Sequence, residues 1–166
     1  MGALKVPRSE VKLRKIIIAP VKHTASSPTE NWLKLEDLAT VEVTSELRDH
    51  PIEDVFSAEG TGWRAASPGP QTMRLVFDQA QRIHRIWLVF EEPEIARTQE
   101  FLLRWSSDGR NFHDIVRQQW NFSVNSAREI ENYTVELSEV SVLELIIVPD
   151  NRDTVTIATL SRFFVA

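Results

Sequence analysis

The chain has 166 residues, of which 42% are hydrophobic and 26% charged, with a formal net charge of −5. That length fits one soluble domain with a real core, and the acidic balance argues against non-specific nucleic-acid binding, which needs a basic surface. With no cysteine in the sequence, disulfides, thiolate nucleophiles and Cys-based zinc sites are excluded.

Residues 1–30 are expected to be an N-terminal extension, partly ordered or carrying a first strand at Lys15–Val21 that Pro20 ends. The apolar run Ile16-Ile17-Ile18-Ala19 is too short for a membrane span or a signal-peptide core, and Lys12, Arg14 and Lys15 crowd it. The expected location is therefore cytoplasmic. Trp32, Leu33, Leu35 and Leu38 predict a short helical turn before Ala39, and the folded domain is placed at residues 31–166. From Val41 onward the apolar period is two, the spacing of strands. Val41 and Val43 alternate with Glu42 and Thr44, and Met73, Leu75 and Phe77 alternate with Arg74 and Asp78. Ile83 to Phe90 is apolar on both faces, which predicts a strand buried on both sides. Phe101, Leu103 and Trp105 lead into Ser106-Ser107-Asp108-Gly109, a tight turn, with Phe112, Ile115 and Val116 returning. Tyr133, Val135 and Leu137 predict another strand, Leu143, Leu145 and Ile147 the next, and Ile157, Leu160, Phe163 and Val165 the last. About eight short strands with little helix predict an all-β fold, an antiparallel jelly-roll β-sandwich. Gaps such as Asp78 to Arg82 are too short for the helical crossovers of a parallel sheet.

Several segments in their order carry a family resemblance. They are Gly62-Trp63-Arg64-Ala65, Met73 to Asp78, Ile83, Ile86 and Leu88, then Ser106-Ser107-Asp108-Gly109-Arg110-Asn111-Phe112, and Leu143-Glu144-Leu145. Over roughly Leu38 to Val165 the chain resembles the discoidin, or coagulation factor 5/8 type C, domain of the galactose-binding-domain-like superfamily. The resemblance implies a non-catalytic binding module that holds sugars, lipid head groups or protein partners on loops at one end of a sandwich. It also implies a structural calcium ion held by the loop before the Trp and by a Glu near the last strand. Here Ser57 stands where the resemblance implies an Asp, and Arg162 where it implies the Glu. A cation in place of a ligand argues against the ion, so no metal and no cofactor are expected. Pairing of Arg162 with Glu53, Asp54 or Glu59 is the alternative to the ion.

The densest polar-aromatic stretch joins Arg97 and Gln99 to Arg117, Gln119 and Trp120. If 106–111 is a hairpin turn, Arg97 approaches Gln118 to Trp120 at its far end. An Arg fork, side-chain amides and an indole are the groups that bind sugar hydroxyls and stack on a sugar face. The competing reading pairs Arg97 and Arg117 with Glu100, Glu129 or Glu131 and buries Trp120 and Phe122 in the core. Trp63 reads first as a core anchor and second as a stacking platform, with Arg64 and Gln71 flanking the same Pro-Gly-Pro loop. The ligand-binding candidates are thus Arg97, Gln99, Arg117, Gln119, Trp120, Trp63 and Arg64, and there is no catalytic candidate. His23, His50, His84 and His113 show no metal-ligand spacing, and Glu91, Glu92 and Glu94 around Pro93 read as a solvated corner. The sequence has no nucleophile-elbow, phosphate-loop or dinucleotide motif. The expected partner is a carbohydrate or other polar small ligand, or alternatively a protein partner of an intracellular adaptor. Neither nucleic acid nor a membrane span is expected.

Overall fold

The computed structural model describes residues 31–166, so the expected strand at Lys15–Val21 and the extension before residue 31 lie outside the described residues. The predicted helical turn is α1, Leu35–Leu38, and eight strands follow: β1 (Ala39–Val43), β2 (Trp63–Pro68), β3 (Gln71–Glu91), β4 (Arg97–Ser106), β5 (His113–Phe122), β6 (Arg128–Val148), β7 (Ile157–Leu160) and β8 (Arg162–Val165). A 3₁₀ turn at Ile52–Phe56 interrupts the long connection between β1 and β2. Among the described residues no helix is long and apolar enough to cross a membrane.

The predicted strands at Met73–Phe77 and Ile83–Phe90 are two halves of β3, and those at Tyr133–Leu137 and Leu143–Ile147 are two halves of β6. Each runs 21 residues and bends from one layer of the sandwich into the other. The bend is made by register shifts between Val76 and Arg85, and Glu139 opposite them sits at φ 60. An extra residue in the left-handed region is how a bulge turns a strand. The predicted closing strand is instead two, β7 and β8, and the Trp63 segment is a strand, β2, that the period-two pattern did not mark.

The first layer runs β1, the first half of β3, the second half of β6, β4 and β5, all antiparallel. The second layer runs β8, the second half of β3 and the first half of β6. β2 pairs with β7 as a separate ribbon. The core between the layers holds Met73, Leu75, Leu103, Leu143, Leu145 and Ile147 from the first layer. Ile86, Leu88, Phe90, Phe163 and Val165 meet them from the second. Double burial holds from Ile86 to Phe90, where Trp87 and Val89 pack outward against Phe164, Trp32 and Ile130, whereas His84 is exposed and Arg85 half-buried, so the expected span from Ile83 is too long. Trp32 reaches that outer face because the Leu33 amide donates to the Val165 carbonyl at 2.8 Å.

The hairpin is closed by Gly109 at φ 72 and by the Asp108 carboxylate. That carboxylate accepts the amides of Arg110 and Asn111 at 2.8 Å each, and these bonds hold it well below the usual carboxylate range. A bulge between Leu103 and Arg104 pairs Phe101 with Gln118.

Candidate functional site

Antiparallel strands deliver the loops 44–62, 92–96, 123–127 and 149–156 to one end of the sandwich. Hydrogen bonds tie these loops together: the Glu92 amide to the Ala127 carbonyl at 2.8 Å, Asn151 to Thr98 at 2.9 Å and Gly69 to Thr156 at 3.0 Å. The Asp153 carboxylate accepts the amides of Val155 and Thr156 at 3.0 Å each, and Arg152 holds the Asp150 carboxyl below its ordinary range. Loops fixed this way present side chains on a stiff base.

The seven candidate residues divide over several places. Arg97 is buried at 2% exposure; its guanidinium donates to the Ile157 carbonyl at 2.8 Å and to Thr159 Oγ1 at 3.1 Å. It lies over the Phe122 ring, 3.6 Å from a Glu92 oxygen, and not against Glu100, Glu129 or Glu131. Burial pulls its pKa below that of a free arginine. Gln99 is fully buried and faces Trp120 across the β4–β5 pair, with Trp120 half-buried. Arg117 and Gln119 point the opposite way, onto the outer face of the first layer beside Leu102 and Glu100. Trp63 is a core residue at 1% exposure whose indole N–H donates to the Ser45 carbonyl at 3.0 Å. Arg64, its neighbour, is exposed on β2 opposite Thr159. Gln71 is buried and accepts the Thr44 and Ser45 hydroxyls at 2.7 and 2.8 Å. The structure therefore brings Arg97, Gln99 and Trp120 to one inner edge, sets Arg64 near Arg97 across Thr159, and turns Arg117 and Gln119 to the opposite face.

A groove of about 210 Å³ opens at the loop-bearing end of the second layer. Its floor is apolar, made by Trp87, Val89 and Phe164, with the Trp87 and Phe164 rings stacked at 5.4 Å. Its walls are polar. Arg128 Nε lies 3.2 Å from Glu91 Oε1, Ser161 Oγ donates to Glu91 Oε2 at 3.3 Å, and Arg162 closes the far side. Glu91 and Arg128 are each about half exposed, at 49% and 54%, so both can exchange their mutual contact for a ligand. The sequence marked Glu91 only as part of an acidic corner. Arg128 gives no signal by itself, because its place opposite Glu91 is set by strand register. A shallower trough of about 310 Å³ lies on the outer face of the first layer, lined by Glu42, Val43, Thr44, Thr72 and Arg74, with no aromatic side chain.

The calcium ion implied by the resemblance does not fit these residues. The Arg162 guanidinium donates to the Ala58 carbonyl at 2.9 Å and to the Ser161 carbonyl at 2.6 Å, so the positive charge there belongs to the chain. Arg162 binds these backbone oxygens rather than Glu53 or Glu59, and Asp54 is taken by the Thr61 hydroxyl at 2.6 Å. Gly60 lets the loop close, since a Cβ there would sit 2.1 Å from the Asp54 carbonyl oxygen. Among the described residues no cluster of His, Asp and Glu is arranged to hold a metal.

No protein-family model and no curated protein matches the chain. Solved structures match it well. The C. perfringens domain CpGH89CBM32-5, in complex with GalNAc-β-1,3-galactose, superposes with a TM-score of 0.59 at 16% identity, covering 81% of this chain and 98% of that one. A pectin-binding carbohydrate-binding module gives 0.58 at 16% identity, with 77% and 89% covered. The C-terminal domain of a chitobiase from Bacteroides fragilis gives 0.58 at 18%, with 82% and 97% covered. The chain thus has the galactose-binding-like β-sandwich fold, which CBM32 domains share with discoidin-like ones.

Proposed function

We propose that the chain is a non-catalytic carbohydrate-binding module and that the groove over Trp87 is its sugar site. The observation that carries this is the groove's composition. An apolar aromatic floor meets the C–H face of a pyranose, while a carboxylate, a guanidinium and a hydroxyl at fixed spacing accept and donate to its hydroxyl groups. Neighbours of the same fold in complex with GalNAc-β-1,3-galactose and with galactose support the ligand class. Glu91 is the sole carboxylate of the lining. Glycosidic hydrolysis needs two facing carboxyl groups, which supports binding without turnover. A shallow polar site exchanges water for similar hydrogen bonds, so the single-site Kd falls at roughly micromolar to millimolar.

The test is calorimetric titration with galactose, GalNAc and oligogalacturonate. Binding to at least one sugar is expected, with Arg128→Ala and Glu91→Gln each weakening it about tenfold. No binding to any of them overturns the reading.

A second reading, a protein-interaction domain, is favoured by one observation. The loop tips at the same end carry exposed aliphatic residues: Ile95 at 54%, Val124 at 90% and Val155 at 74%. A protein captured by the wild type and lost when all three are changed to Ser, in a chain that binds no sugar, supports that reading over the first.

A further inference from the structure

The groove over Trp87 does not end at Phe164. A second pocket of about 210 Å³ adjoins it, and Phe164 and Ala58 belong to the walls of both. Phe163 and Phe164 point to opposite faces of β8, so a pocket that touches both lies along the edge of that strand. α1 supplies Leu35 and Glu36 to its walls, and the 3₁₀ turn supplies Phe56.

The two compartments share a wall and differ in chemistry. The first has Glu91, Arg128, Ser161 and Arg162 around its aromatic floor. The second has one charged side chain among the described residues, the exposed Glu36, and its other walls are aromatic or aliphatic. Trp32 and Phe56 are half-buried there, so their rings are open to a ligand. An aromatic row connects the compartments, since the Phe164 ring lies 5.4 Å from that of Trp87 and 5.5 Å from that of Trp32. The ridge between them is fixed. Arg162 donates to the Ala58 carbonyl at 2.9 Å, and Phe56 rests on Phe163 at 6.1 Å.

A second sugar residue is a poor match for that pocket. A pyranose carries a hydroxyl on most of its carbons, and buried hydroxyls left without partners are costly. An apolar group matches it better. A cavity of about 150 Å³ lined by apolar side chains holds a benzene ring, so this pocket has room for a phenyl group or a short alkyl chain.

We infer that the groove binds a glycoside with an apolar aglycone, the sugar lying over Trp87 between Glu91 and Arg128 and the aryl or alkyl group passing Ala58 into the pocket of Trp32 and Phe56. The inference rests on the proposed carbohydrate-binding reading and names the ligand class of that same site. Burial of the aglycone adds a gain that the exchange of water for sugar hydroxyls does not supply. Glu36 sets a further preference, because its carboxylate repels an aglycone that carries negative charge.

The experiment is calorimetric titration of the full chain with the methyl, phenyl and para-carboxyphenyl β-glycosides of galactose and of GalNAc. The phenyl glycoside of the bound sugar is expected to bind about tenfold more tightly than the methyl glycoside, the gain from burying one ring. In Phe56→Ala that ratio should fall to near one, whereas Arg128→Ala should weaken both glycosides and keep the ratio. The carboxyphenyl glycoside should bind about threefold more weakly than the phenyl one, and Glu36→Gln should close that gap. Glu36 is exposed on α1, so its substitution tests the pocket without touching the core. An n-octyl glycoside, used below its micelle concentration, separates the sources of such a ligand: octyl above phenyl points to a glycolipid, phenyl above octyl to an aromatic glycoside. Equal binding of methyl and phenyl glycosides, or a phenyl preference that survives Phe56→Ala, overturns the inference and leaves the module reading standing. Phenol bound as tightly as the phenyl glycoside overturns it too. A chain that binds none of the glycosides overturns both.

Discussion

Two glutamates on β6 are buried to the same degree and live in opposite circumstances. Glu144, with no exposed surface, faces outward from the first layer and is gripped from both sides, by Arg74 Nε on one oxygen and Arg104 Nε on the other. Glu129, at 1% exposure, faces inward and meets another carboxyl, that of Glu131, instead of a cation. Register explains the difference. Glu42, Arg74, Glu144 and Arg104 occupy one row across four neighbouring strands, an alternation of charge that satisfies each member. Arg104 lies on the Phe112 ring at 4.5 Å, and the bond to Glu144 lifts Arg74 above its ordinary pKa. The row is complete and leaves nothing to offer a ligand. Glu129 has a like charge beside it, and burial keeps it protonated, where Glu144 lies between two arginines.

The largest effect in breaking this contrast is expected at the row. Glu144→Ala leaves two arginines without their shared acceptor and should cost about 3 kcal/mol in urea unfolding, since removing one partner of a buried pair strands the other charges. Arg162 is the intermediate case, a charge satisfied by carbonyl oxygens instead of a carboxylate. Arg162→Met should cost about 2 kcal/mol through two lost charge-assisted bonds, and neither calcium nor EDTA should move the wild-type Tm. An EDTA-induced fall in Tm would show that the guanidinium does not stand in for an ion.

Glu129 sharpens the contrast through pH. Its folded-state pKa of about 8 lies above the ordinary glutamate value of 4.5, so between these limits the unfolded chain sheds a proton that the folded chain keeps. Stability should therefore decline as pH rises from about 4.5 to 8 and level off above. Glu129→Gln removes that decline, which melting curves over this range would show; the same decline in both chains would mean that Glu129 is not its source. The smallest effect is expected at Arg64, exposed on β2, where Arg64→Ala should stay within about 0.5 kcal/mol of wild type.

Much of this was legible in the sequence. The period-two segments from Val41 to Val165, the Ser106–Gly109 turn, the core place of Trp63 and the doubly buried run from Ile86 to Phe90 all follow from alternation, turn chemistry and aromatic size. The joining of two predicted strands into β3, and of two more into β6, was not legible. A bulge looks like a gap when polar residues such as Asp78 and Gln79 fill it. The candidate cluster was half legible. The hairpin turn was expected to bring Arg97 to Gln118–Trp120; the strand pairing instead sets Arg97 opposite Phe122 and Gln99 opposite Trp120, and alternation sends Gln119 and Arg117 to the other face of the same strand.

The sequence by itself determined the all-β class, the hairpin and the residues that fill the core, because these depend on local periodicity and turn preference. Only the tertiary structure decided which charges meet. Glu144 finds Arg74 and Arg104, and Glu91 finds Arg128, through strand pairings between residues far apart in the chain. A shift of one residue in any of those pairings would turn the side chain to the opposite face. A linear pattern carries the alternation along a strand and does not carry the register between strands.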